Sequence, residues 1–144
     1  MGKIVAVSIS ENKGTRKKNV ENAELKVDFG IVGDAHAGDS KRQVSLLAAE
    51  SIEKMKAKGL NVKAGDFAEN ITTEGIDLMS LVFGDRLRAG LEAVLEISQI
   101  GKVCHTRCNI YYEAGGCVMP KEGIFAKVLK GGAVSPGDEI RKES

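Results

Sequence analysis

The chain has 144 residues, enough for one domain over 1–144, with 21 Lys+Arg against 20 Asp+Glu, a formal net charge of +1 and 42% hydrophobic residues. That balance excludes disorder by composition. Residues 1–72 hold 12 basic and 10 acidic side chains and the remainder 9 and 10, so neither half is a basic arm for nucleic acid.

No apolar run approaches the roughly 20 residues that span a bilayer, and Met1–Val7 lacks the pattern of a signal peptide. Three cysteines, an odd number, argue against a fully paired disulfide framework and for the reducing cytoplasm. Seventeen glycines against two prolines (17 of 144, 12%) exceed the usual share of about 7% and predict tight turns and bulges in a compact domain.

In chain order, Val5, Val7 and Ile9 alternate with smaller or polar residues, as do Leu25, Val27 and Phe29; both patterns predict strands. Lys13-Gly14-Thr15-Arg16-Lys17-Lys18 is the one charge cluster and reads as a solvated hairpin or loop. Gln43–Leu47 predicts a strand, and Ala48–Lys58 a helix with Ala48, Ile52 and Met55 on one face. Gly59 sits where a left-handed cap belongs, with lysines in the last turn to complement the helix dipole. Val94–Ser98, Gly123–Leu129 and Asp138–Arg141 predict further strands, the last entered through Ser135-Pro136-Gly137; Asn109–Ala114 predicts a short helical turn. Gly-Asp pairs at 33–34, 65–66, 84–85 and 137–138 mark turns without a regular repeat. The expected fold is mainly β, a closed or partly closed barrel with a few short helices.

The densest chemistry lies in Lys102-Val103-Cys104-His105-Thr106-Arg107-Cys108, just after the strand predicted to end at Ser98. A cysteine acts as nucleophile, sulfur carrier or soft metal ligand as its thiolate, and nearby cations lower its pKa from about 8.5 towards neutrality. Lys102, His105 and Arg107 all stand within three positions of Cys104. The same spacing also suits small buried hydrophobes, the usual fate of free cysteines. Zinc is disfavoured, because the C-x3-C and C-x8-C spacings of Cys104, Cys108 and Cys117 fit no common template.

A second constellation, Gly30–Gly38 followed by Lys41-Arg42-Gln43, has three glycines in nine residues beside His36 and Arg42. It suits either close approach to an anionic ligand or a glycine-rich turn, and it carries neither GxxxxGK[ST] nor GxGxxG. The third, Glu69-Asn70-Ile71-Thr72-Thr73-Glu74-Gly75, offers hydrogen bonds to an anion or caps for a loop.

Taken together, Gly33–Gly38 with Arg42–Leu47, Glu69–Gly75, Cys104, Gly123–Leu129 and Gly131-Gly132…Gly137-Asp138 resemble, in order and over nearly the whole chain, the MOSC domain. That is the C-terminal domain of molybdenum cofactor sulfurases, also found alone in small bacterial proteins. The resemblance implies a β-barrel fold and a site for the molybdenum cofactor (molybdopterin) or its sulfur. Cys104 matches the position that ligates molybdenum or carries persulfide sulfur, and is thus the implied catalytic and metal residue. His36, Arg42, Asn70 and Thr72 match the cofactor-contacting region, with Lys102 and Arg107 as further cations for its phosphate.

Sulfurases draw sulfur from a separate pyridoxal-phosphate-dependent domain. No pyridoxal phosphate site is expected within this chain, so a cysteine desulfurase or a molybdoenzyme is the implied partner, with no nucleic acid or membrane. Val103-Cys104 replaces the family's frequent Pro-Cys, and Cys108 adds a thiol that suits a resolving partner. Two rival functions follow: a non-catalytic carrier that delivers finished cofactor, and a thiol redox sensor built on Cys104 and Cys108.

Overall fold

A computed structural model describes residues 2–10, 18–34, 37–38, 43–57, 59, 63–64, 69–100 and 123–143. The strands are β1 (Gly2–Ile9), β2 (Lys18–Val20), β3 (Ala23–Lys26), β4 (Gly30–Ile31), β5 (Val44–Ala48), β6 (Ile71–Glu74), β7 (Arg86–Ala89), β8 (Ala93–Ile100), β9 (Ile124–Lys130), β10 (Gly132–Val134) and β11 (Glu139–Glu143). Helix α1 (Ala49–Ala57) follows β5, and a 3-10 turn covers Leu78–Ser80.

The main sheet runs β11-β7-β8-β9-β5-β6-β1-β2, and pairing of β11 with β1 closes it into a seven-stranded barrel with β2 appended to β1. Neighbours are antiparallel except β5 and β6, whose parallel pairing requires a crossover; α1 lies in that crossover and packs on both strands. A small sheet, β10-β3-β4, stands beside the barrel. Among the described residues no helix is long and apolar enough to cross a membrane.

Alternation along the strands fills the interior. Ile4, Val7, Leu46, Ile71, Leu87, Leu95, Ile97, Ile124, Ala126 and Ile140 are fully buried in one cluster. The interior is therefore packed rather than hollow. Leu95→Ala is expected to lower the unfolding free energy by about 2–5 kcal/mol in a denaturant titration, since the transfer loss is joined by a cavity that rigid barrel walls refill poorly.

α1 forms as the apolar spacing predicts. Ile52 and Met55 are buried, and Gly59, at φ +93°, donates its N–H to Lys56 O at 2.9 Å. The alternation of Leu25, Val27 and Phe29 does not hold. Leu25 is buried in β3, but the strand ends at Lys26 and Val27–Phe29 form a turn, with Asp28 at φ +53° and its N–H donated to Val128 O. Val27 is accordingly 55% exposed.

Three Gly-Asp pairs build turns of one design. In Val82–Asp85 and Ser135–Asp138, the Asp N–H donates to the carbonyl three residues back, at 3.0 and 3.1 Å. The same Asp accepts, through Oδ2, the N–H of that first residue at 2.9 Å in both turns. Gly84 and Gly137 supply the required positive φ, +91° and +98°. Asp34 repeats the backbone bond to Ile31 O, but its Oδ1 accepts the N–H of Ser10 and so ties this turn to the end of β1. Gly65-Asp66 lies outside the described residues.

Candidate functional site

Residues Glu69–Gly75, expected as a ligand-contacting or capping loop, contain a barrel strand. Ile71 and Thr73 are buried on β6, and the Thr73 hydroxyl has no hydrogen-bond partner. Thr72 pairs with Leu47 and Ala6, neighbours of Leu46 and Val7 that point out of the barrel core towards the side where α1 packs. A polar strand is buried here because both of its faces are covered.

Asn70, immediately before β6, is fully buried and holds three strands together. Its Oδ1 accepts the N–H of Ser45 at 3.0 Å and the Ser45 hydroxyl at 3.1 Å. Its Nδ2 donates to Ser8 O at 3.0 Å. Its main chain donates to Ser45 O at 2.9 Å and accepts from Ser8 N at 2.7 Å. β1, β5 and β6 are thereby fixed where their side chains turn from the core outward. Beside this knot, Thr72 donates its hydroxyl to Glu69 Oε2 at 3.0 Å, and the whole Glu69 side chain is buried.

Gln43, at the start of β5, makes a second buried tie. Its Oε1 accepts Val128 N at 3.0 Å and its Nε2 donates to Asp28 Oδ1 at 3.1 Å, so the small sheet is bound to β9. Gly30 makes that approach possible, because a Cβ there would stand 2.6 Å from Gln43 O. Ser8, Ser45, Gln43 and Glu69 are among the buried polar residues that sequence reasoning did not single out as site residues. The signal was available for Ser45, a lone hydroxyl within the apolar run Val44–Leu47.

Of the predicted site residues, Asn70 and Thr72 are described. His36, Arg42, Lys102, Cys104 and Arg107 lie outside the described residues, as do Cys108, Cys117 and the helical turn expected at Asn109–Ala114. The described ends of these segments are nonetheless fixed. Val7, Ile71, Leu46, Ile124 and Ile100 form one row across β1, β6, β5, β9 and β8. β8 ends at Ile100 and β9 begins at Ile124, three and two strands from β6. Arg42 adjoins Gln43, and His36 lies between Asp34 and Ala37, with Ala37 N bonded to Asp34 O at 3.1 Å.

The family model of the MOSC domain matches residues 33–141. The chain belongs to the MOSC domain family. No curated protein matches it. Among solved structures this MOSC domain is similar to the YuaD protein of Bacillus subtilis, with a TM-score of 0.76 and 22% identity over 97% of this chain and 94% of that one. It is also similar to YiiM of Geobacillus stearothermophilus, with a TM-score of 0.75 and 20% identity over 100% of this chain and 76% of that one. YiiM of Escherichia coli gives 0.67 and 20% over 99% and 70%. These likenesses show that the same fold is kept at low sequence identity.

Proposed function

We propose that this MOSC domain binds the molybdenum cofactor and carries sulfur for it on Cys104, in the cytoplasm. The observation that supports the reading is the row Ile71–Leu46–Ile124–Ile100, in which the two ends of the Cys104 segment stand two and three strands from the Asn70–Thr72 wall.

The donor set fits the group. Thiolate is the soft sulfur ligand that molybdenum favours over imidazole or carboxylate. Arg42, Lys102, Arg107 and His36 would hold the anionic phosphate of the pterin. Asn70 and Thr72 serve in this reading as positioning residues, because their polar atoms are engaged with Ser8, Ser45 and Glu69. Redox or oxo chemistry would be supplied by the bound cofactor, and position and electrostatics by the protein.

For sulfur carriage the Cys104 thiolate attacks the outer sulfur of a persulfide on a cysteine desulfurase. The donor S–S bond breaks, the donor departs as thiolate, and the outer sulfur remains on Cys104. Lys102 and Arg107 favour the attacking thiolate.

The test is metal, pterin and persulfide analysis of protein purified from a host able to make the cofactor. Stoichiometric molybdenum and pterin, or a persulfide on Cys104, is expected. Protein that carries none of the three, even after incubation with cofactor and a desulfurase, overturns the reading.

A further inference from the structure

The wall made by β7 and β11 stands across the barrel from β5 and β6, and its charges are paired with one exception. Arg86 has a carboxylate on each side. Glu96 lies opposite on β8, 3.7 Å from Arg86 Nε, and Glu143 lies opposite on β11. Arg88, two residues on and so on the same face, has Val94 opposite on β8 and Arg141 opposite on β11. Like charges directly across an antiparallel pair repel. Arg141 has Glu139 at 3.7 Å, and Lys142 has Asp85 at 3.5 Å. Among the described residues none makes an ion pair with Arg88, and its Nε is buried without a hydrogen-bond partner.

A cavity of about 320 Å³ opens at this point, lined by Arg88, Arg141, Lys142 and Glu143. Arg88 and Arg141 stand side by side across the β7–β11 pair and both line this cavity, and two neighbouring guanidiniums, one of them without an ion pair among the described residues, call for an anion beside them.

We propose that this cavity binds a phosphate group, free or as a monoester, with Arg88 as its anchor and Arg141 as its second donor. Two guanidiniums that approach from different strands need an acceptor with oxygens on several sides. A carboxylate is satisfied by one bidentate fork, whereas a tetrahedral phosphate accepts from two. The site shares no residue with the Cys104 reading and stands or falls without it.

The test follows the Arg88 Nε–Hε resonance in the folded full chain by NMR. Inorganic phosphate, a simple phosphomonoester such as glycerol phosphate, and acetate are titrated at constant ionic strength. Phosphate is expected to move the resonance saturably, with acetate weaker by about ten-fold or more. Arg88→Gln and, independently, the more exposed Arg141→Gln are expected to weaken phosphate binding about ten-fold, followed on the remaining arginine, while Arg86→Gln leaves it unchanged. Stronger binding of the ester than of inorganic phosphate assigns the ligand to a phosphorylated metabolite, and the reverse order to free phosphate. A non-saturable response, equal response to acetate, or equal loss in Arg86→Gln overturns the proposal.

Discussion

Asn70→Ala is expected to lower the unfolding free energy by about 3–5 kcal/mol, a large part of the roughly 5–15 kcal/mol that holds a domain of this size together. The substitution removes the acceptor of Ser45 N and the donor to Ser8 O in a place closed to water. Two main-chain groups are orphaned at about 1–3 kcal/mol each, and a void is added. Asn70→Asp is expected to be no milder, since it keeps an acceptor for Ser45 but turns a buried carboxylate towards Ser8 O. Urea titrations of the two variants and the wild type measure this. A loss below about 1 kcal/mol would mean that β1, β5 and β6 are held by their ladder bonds alone.

The larger effect on function is expected at Cys104. Cys104→Ala removes the only atom in the proposed scheme that can accept sulfur, so transfer from a desulfurase should fall to the uncatalysed background while Cys108→Ala retains it. If the thiolate is stabilised by its neighbours, Lys102→Glu raises the Cys104 pKa, and the rate of alkylation against pH moves to higher pH. The sign follows from charge: an added anion disfavours the thiolate, so more hydroxide is needed to form it. Alkylation profiles that superimpose would remove Lys102 from the neighbourhood of the thiol. Transfer that survives Cys104→Ala but fails in Cys108→Ala would move the chemistry by four positions.

The parts of the fold that local rules govern were legible. α1 was marked by Ile52, Met55 and the Gly59 cap, and the strands at Val44, Val94, Ile124 and Glu139 by apolar or alternating runs. β6 was not recognised as a strand, because Asn70, Thr72 and Thr73 look solvent-facing, and their burial depends on α1 and on strands far along the chain. β7 escaped because Arg86-Leu87-Arg88-Ala89 is short and half charged, as one face of a barrel strand in water must be. Leu25–Phe29 misled in the opposite direction, since alternation carries no information about where Asp28 turns the chain towards Val128. At the candidate site, the residue types named chemistry, but the knot of Ser8, Ser45 and Asn70 joins positions up to 62 apart and no spacing rule reaches that far.

The seam of the ring has its own consequence. Gly2 is zipped to Ile140 and Lys3 to Glu139, so the first strand of the barrel waits for its last. On the ribosome, β1 can meet β2 and β6 early, but closure must follow release of nearly every other strand, which places this protein among slow, long-range folders. A nonsense mutation upstream of Glu139 would leave the β1 and β7 margins bare, an invitation to intermolecular pairing and to quality-control proteolysis rather than a trimmed but working product.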